Sequence, residues 1–74
     1  MTTKAIIYVS EFNFDAFWDD ADSHGCKIKS IQQDVFGNFV FDVEGDALND
    51  SDWIEMLESN GIEVSIYTEI LKLI

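Results

Sequence analysis

Two segments of this 74-residue chain repeat one pattern at a fixed distance, and that repetition limits the folds open to the chain. Ser23–Ile28 and Ser59–Val64 superpose at an offset of 36 residues, measured from Gly25 to Gly61. The offset also holds upstream, where it aligns an apolar strand, a helix cap and an apolar helical stripe in register. The pattern therefore predicts two similar halves, each built as strand, helix and strand.

The first half starts with the short β-branched and aromatic run Ala5–Val9, which predicts a buried strand. Apolar residues then recur at helical spacing, at Phe14, Phe17, Trp18 and Ala21. The helix is expected to end near His24, with Gly25 in the left-handed position that follows many helices. Ser10 and Asn13 are both suitable N-caps, and the sequence does not decide which of them caps the helix.

A hairpin is expected to join the two halves. Lys27–Val35 alternates well enough for a second strand. The turn-forming pair Gly37-Asn38 stands between two aromatic residues, and Phe39–Val43 returns as the antiparallel partner.

A helix and a fourth strand complete the second half. Asp50 or Ser51 is expected to cap this helix, and Gly61 to end it. Its apolar stripe is Trp53, Met56 and Leu57. Ile62–Tyr67 follows as a strand. The order β-α-β-β-α-β predicts a single α+β domain over residues 1–74, a ferredoxin-like sandwich with a four-stranded antiparallel sheet and two helices on one face.

Alternation along the strands assigns side chains to the two faces of the sheet. The strand residues expected to face the helices are Ala5, Ile7, Val9, Ile28, Phe39, Phe41, Val43, Ile62, Val64 and Ile66. The helices are expected to add Phe14, Phe17, Trp18, Trp53, Met56 and Leu57 to this core. The open face is expected to carry Ile6, Tyr8, Lys27, Lys29, Ile31, Val40, Asp42, Glu63, Ser65 and Tyr67.

Net charge is the second constraint, because 15 Asp and Glu against 4 Lys give −11. DNA, RNA and anionic membranes all require a basic cluster, so direct binding to them is not expected. A chain that is 47% apolar is too hydrophobic for a disordered acidic segment. The lone Cys26, and a start without a basic segment followed by an apolar run, favour a cytoplasmic location. Opposite charge makes a basic protein the favoured class of partner.

Many of the acids fall on helix faces. Asp15, Asp19 and Asp22 share one flank of the first helix, with an axial rise of ~6 Å between the first two. This rise is on the order of the phosphate spacing along a nucleic-acid strand, which is ~3.4 Å of axis per residue plus the helical path. A similar ridge lies on the second helix, and the candidate partner-binding residues are Asp15, Asp19, Asp22, Asp46, Asp50, Asp52, Glu55 and Glu58.

Two interpretations of these acids remain open. Solvated helix faces normally interleave Lys or Arg with the acids, and these do not, which favours a surface that meets a basic partner. Alternatively, the charge serves solubility, and the acids near helix starts are stabilised by the helix dipole.

The partner interpretation predicts a non-enzymatic protein that binds a basic protein surface. Its sharpest form is a nucleic-acid mimic that blocks the Lys/Arg groove of a DNA- or RNA-handling protein. Small, acidic, proline-free chains are typical of phage inhibitors of host-defence enzymes, in which case the cytoplasm is that of the host.

A second class of function is a small regulatory or structural subunit that forms a homodimer. Its interface would combine the open sheet face with the apolar segment 68–74, through Tyr8, Ile31, Val40, Tyr67, Ile70, Leu71 and Leu73. Three roles are open for that segment: prolonging the fourth strand, covering the open face, or entering the dimer interface.

Catalytic and metal-binding interpretations have little support. One His, no Arg and no glycine-rich phosphate loop leave few groups to stabilise an oxyanion or phosphate. Asp50-Ser51-Asp52 resembles the start of a calcium loop but lacks its sixth-position glycine and twelfth-position glutamate. His24 and Cys26 lack the second pair that a zinc site requires. No enzyme activity, metal or cofactor is expected.

Overall fold

The computed structural model describes residues 3–67, which form four strands and two helices in the predicted order. The strands are β1 (Lys4–Val9), β2 (Lys27–Gln33), β3 (Phe39–Glu44) and β4 (Glu63–Tyr67), and the helices are α1 (Phe14–Ser23) and α2 (Ser51–Ser59). A short 3-10 turn precedes each helix, at Glu11–Asn13 and Asp46–Asn49.

The strands form one open sheet in the order β2-β3-β1-β4, and all neighbouring pairs are antiparallel. The two strands that flank α1 are separated by β3, and the two that flank α2 are separated by β1. Each helix therefore crosses over a strand from the other half of the chain. Both helices contribute to one hydrophobic core with the same face of the sheet, which confirms a mixed α+β fold.

The two helices end in the same hydrogen-bond pattern, 36 residues apart as the repeat predicts. At the end of α1, the amide of Cys26 donates to the carbonyl of Ala21 (3.0 Å) and the amide of Gly25 to that of Asp22 (3.0 Å). At the end of α2, the corresponding donors are Ile62, to Leu57 (3.1 Å), and Gly61, to Glu58 (3.0 Å). These bonds define a Schellman motif at each end, with Gly25 at φ +73° and Gly61 at φ +82°.

The helix starts differ from each other. Asp50 caps α2, because its Oδ1 accepts from the amides of Asp52 (3.0 Å) and Trp53 (3.4 Å). Neither Ser10 nor Asn13 places a side-chain cap on the turn and helix that begin the first half. The Asn13 amide instead donates to the carbonyl of Asn60 at the end of α2 (3.3 Å). This bond sets the start of α1 beside the end of α2, so the helices run antiparallel.

The core lies between the helices and the sheet. Its buried members are Ala5, Ile7, Val9, Phe17, Ala21, Cys26, Phe41, Val43, Leu48, Trp53, Leu57 and Ile62. Phe17 packs edge-on against Phe41 with ring centroids 4.8 Å apart, and Phe14 packs against Phe39 at 4.4 Å. Leu48, in the 3-10 turn before α2, carries no sequence signal for burial, because its turn has no periodic pattern.

Three residues predicted to lie in the core are substantially exposed: Trp18 (42%), Met56 (44%) and Ile66 (51%). Trp18 borders a groove beside the edge strand β2, and Met56 borders the groove between the helices. Ile66 lies on the other edge strand, which has β1 as its single neighbour among residues 3–67. The apolar periodicity places these three side chains on the core side of their helix or strand. They stay partly exposed because they lie at the margin of the core, where no packed element covers them completely.

A β-bulge in β2 corrects the assignment of Ile31. Ile28 pairs with Val43, but the next pair is Ser30 with Asp42, so Lys29 is an extra residue on β2. Beyond it Ile31 pairs with Phe41, a buried residue on the helix side. The prediction that Ile31 lies on the open face is therefore wrong, because one inserted residue reverses the alternation.

Candidate protein-binding surfaces

The first acidic ridge lies on the outer flank of α1. Asp15, Asp19 and Asp22 all fall within α1 and are exposed. Asp22 borders a groove of about 470 Å³ beside β2, together with Trp18 and Ile31. The ridge therefore faces solvent on the β2 side of the helix, away from α2.

The second acidic ridge lies on α2. Asp52, Glu55 and Glu58 are exposed along it. Asp46 is exposed in the 3-10 turn before the helix. Asp50 is exposed as well, but one of its carboxylate oxygens is already used by the helix cap. Asp50 thus has a structural role that the other candidates on this helix lack.

A groove of about 280 Å³ runs between the helices. It is lined by Asn13, Ala16, Phe17, Asp20, Met56, Leu57, Asn60 and Ile62. None of the eight candidate acids borders it. The structure thus brings the two ridges onto one layer of the molecule but keeps them on separate helix flanks.

Asp20 forms a polar contact between the helices that sequence reasoning missed. Its Oδ2 accepts from the indole Nε1 of Trp53 at 2.6 Å. The His24 ring stacks on the same indole, with centroids 4.3 Å apart and an interplanar angle of 14°. The only sequence signal for this contact is that a tryptophan in a core needs an acceptor for its N–H.

Charge is divided between the two faces of residues 3–67. The helices and the turns leading into them carry ten acids and no lysine: Glu11, Asp15, Asp19, Asp20, Asp22, Asp46, Asp50, Asp52, Glu55 and Glu58. The open sheet face carries Lys4 and Lys27 together with Asp42, Glu44 and Glu63. Lys29, the bulge residue on the edge strand, reaches Glu44 on this face. The helical layer is therefore the more negative of the two faces.

Polar side chains on the open sheet face interact with each other. Tyr67 Oη donates to Asp42 Oδ1 at 2.8 Å, across the intervening strand β1. Lys29 Nζ lies 3.6 Å from Glu44 Oε1. Of the residues proposed for a dimer interface, Tyr8 and Val40 pair with each other on this face and are half-buried. Ile31 lies on the opposite face, and Ile70, Leu71 and Leu73 lie outside the described residues.

Cys26 is buried immediately before β2, where it joins the hydrophobic core. A β-carbon on Gly45 would come within 3.1 Å of its sulfur, so the glycine permits this close approach. Burial raises the pKa of the Cys26 thiol above its ordinary value of 9.0. A thiol in this state is mostly protonated near neutral pH and is a poor nucleophile.

Residues 3–67 contain neither a metal-binding cluster nor a membrane-spanning helix. No three His, Cys, Asp or Glu side chains there are placed to hold a metal ion together. Neither described helix is long and apolar enough to cross a membrane.

Comparison of the chain with models of protein families, with curated proteins and with solved structures gave no match.

Proposed function

We propose that this chain is a non-enzymatic protein that binds the basic surface of another protein through its helical layer. The observation that supports the proposal is the division of charge, with ten acids and no lysine on that layer among residues 3–67. Fields of opposite sign accelerate association and disfavour other partners. A charge kept only for solubility would not need to be concentrated on one face.

The partner class that best suits this surface is a nucleic-acid-handling protein, whose Lys/Arg groove normally holds phosphates. Carboxylates fixed on two packed helices present negative charge without ordering a disordered segment. The separation of the two ridges on different helix flanks suits contact with two basic patches or with the two walls of one groove. Such a protein inhibits its target in the cytoplasm by occupying the groove that would otherwise bind nucleic acid.

We infer that the scaffold belongs to the ferredoxin-like class. Each helix connects two strands that are separated by a strand from the other half, which is the split β-α-β arrangement. The fold places no constraint on activity, because folds of this kind serve many functions. Its contribution here is to hold both helices rigidly on one side of the sheet.

The test is capture of a partner from a cytoplasmic extract, identification of the captured protein, and competition with DNA and RNA. Displacement by either nucleic acid, and an affinity that falls steeply with salt, are the expected results. The variant Asp15→Asn/Asp19→Asn/Asp22→Asn is expected to lose binding while keeping its fold.

A matched control removes three negative charges from the other face, as Asp42→Asn/Glu44→Gln/Glu63→Gln. It changes the net charge equally, so retained binding separates a sided surface from bulk charge. Equal loss in both variants, or binding that persists in high salt, would refute the proposal.

A further inference from the structure

The three most exposed large apolar side chains among residues 3–67 are Phe12 (94%), Val35 (93%) and Phe36 (84%). The next is Ile66, at 51%. Single exposed apolar residues are ordinary on protein surfaces, but three nearly complete exposures at one place indicate a contact site. These three residues are named the apolar tip.

The apolar tip is formed by two loops that meet at one end of the sheet. Phe12 lies in the turn after β1, and Val35 and Phe36 lie in the loop between β2 and β3. Val9 at the end of β1 pairs with Phe39 at the start of β3, so both loops leave the sheet at the same end. The loops also touch: Oε2 of Glu11 lies 3.3 Å from the position that a β-carbon on Gly37 would occupy.

The loop that carries Val35 and Phe36 is held by its own hydrogen bonds. Oδ1 of Asp34 accepts from the amides of Phe36 (2.9 Å) and Asn38 (3.0 Å). The amide of Asp34 donates to the Asn38 carbonyl (2.9 Å), and the amide of Gly37 to the Asp34 carbonyl (3.2 Å). Gln33 Nε2 adds a bond to the Gly37 carbonyl (3.2 Å). Because the backbone of this loop is already fixed, binding through Phe36 orders only the side chain.

Acids flank Phe12 in the apolar tip, and the lysines of residues 3–67 lie toward the other end of the sheet. Glu11 precedes Phe12, and Asp15, the first acid of the α1 ridge, follows it by three residues. Lys4 and Lys27 both pair with Glu44, at the opposite end of β3 from the tip. The tip therefore has an apolar centre and, on its Phe12 side, a negative rim that continues into the α1 ridge. Apolar centres with polar rims are the usual anatomy of protein interfaces.

We propose that the apolar tip is the anchor by which this chain binds its basic partner, and that the partner has an apolar cleft beside its Lys/Arg groove. The proposal rests on the proposed function, since the negative rim selects a basic protein. A second copy would bring two negative rims together, and an anionic lipid surface would repel them. The acids of the α1 ridge then attract the basic partner during association, and the apolar tip provides the contact area that is desolvated in the complex.

The experiment uses two defined probes of equal charge: a helical peptide of lysine and leucine with one basic and one apolar face, and its analogue with serine in place of leucine. We expect the full chain to bind the leucine peptide about tenfold more tightly, because only that probe buries phenylalanine surface. Phe12→Ser/Phe36→Ser should remove this preference and leave the affinity for the serine peptide unchanged. Both positions are exposed, so an unchanged Tm should accompany the loss.

A matched control, Met56→Ser/Ile66→Ser, removes exposed apolar side chains elsewhere and should keep the preference. A preference that survives Phe12→Ser/Phe36→Ser overturns the anchor while leaving the acidic surface intact. If neither peptide binds in a salt-dependent way, the proposed function itself fails. Self-association of the wild type that the tip variant abolishes, or binding to uncharged lipid vesicles that it abolishes, would assign the tip to a second copy or to a membrane and overturn the proposal.

Discussion

The helical layer and the open sheet face of this protein carry charge in opposite ways. On the sheet face, lysines alternate with acids, and the pairs Lys29–Glu44 and Tyr67–Asp42 are formed within the face. On the helical layer, acids follow each other along both helices without a lysine between them in residues 3–67. Electrostatic repulsion is therefore concentrated on one side, and a net charge of −11 describes neither face well.

This difference shows that the helices are held by packing and not by surface charge. Each helix is shorter than the ~12–15 residues that an isolated helix needs in water. Their acidic faces lower helix stability further. The attachment of the helices to the sheet, through the aromatic core, must compensate for both effects.

The largest expected effect is loss of that attachment. Phe17→Ala removes a side chain that is 1% exposed and packs against Phe41, and is expected to lower the free energy of unfolding by ~3–5 kcal/mol. Ile6→Ala, on the open face, is expected to lower it by no more than ~1 kcal/mol. Urea denaturation measures both. Similar losses at the two sites would mean that the open face is also a core.

The next largest effect is expected from removing one side-chain hydrogen bond on each face, Trp53–Asp20 on the helical layer and Tyr67–Asp42 on the sheet face. Trp53→Phe removes the indole N–H that donates to the Asp20 carboxylate at 2.6 Å. Losing this charge-assisted hydrogen bond is expected to lower the free energy of unfolding by ~1.5–3 kcal/mol. Tyr67→Phe removes the corresponding bond to Asp42 on the more exposed face and is expected to cost ~1 kcal/mol or less. A double-mutant cycle with Asp20→Ala, which removes the acceptor, isolates the first term. A coupling energy near zero would contradict a stabilising role for the contact.

A smaller effect of opposite sign is expected from charge removal. Asp19→Asn/Asp22→Asn relieves repulsion along α1 and removes an acid from its last turn, where the dipole disfavours negative charge. The gain should be ~0.5–1 kcal/mol at low salt and should vanish near 1 M salt.

The matched pair on the sheet face is Glu44→Gln/Glu63→Gln. It should give no gain, because Glu44 is close to Lys29 and the local charge is balanced. Thermal melts across a salt series compare the two pairs. A gain of equal size from both would place the repulsion in the whole molecule instead of one layer.

The smallest expected effect is a pH dependence of stability that arises from Cys26, on the helix-covered side of the sheet, and appears only at alkaline pH. Burial raises the pKa of the Cys26 thiol above its ordinary value of 9.0, so the folded state binds that proton more tightly than the unfolded state. The stabilisation is fully present below pH 9.0 and is lost as the pH rises through the folded pKa. The stability difference between wild type and Cys26→Ala should shrink over that range, and a constant difference would contradict the assignment.

Local signals in the sequence predicted much of this fold. Glycine has a strong preference for the left-handed end of a helix, so Gly25 and Gly61 marked both helix ends. The period of apolar residues then fixed the type and order of the elements. The same signals placed the eight candidate acids on the helical layer correctly, since that placement depends only on position within an element.

Tertiary features were beyond the reach of these signals. Asn13 bonds to Asn60 across the helix pair instead of capping α1, and Asp20 bonds to Trp53, which lies 33 residues away. The bulge at Lys29 inserts one residue with no sequence mark and moves Ile31 to the other face. No local signal predicts the apolar tip, because Phe12 and Phe36 belong to separate segments and their shared location depends on the β1–β3 register.

The bulge in β2 also affects how the sheet meets its surroundings. As an outer strand, β2 offers backbone donors and acceptors that another extended chain could use to lengthen the sheet. An inserted residue interrupts the regular spacing of those groups, and Lys27 and Lys29 beside it oppose docking by charge and bulk. The β2 edge is therefore a poor template for strand addition, which disfavours aggregation through this edge.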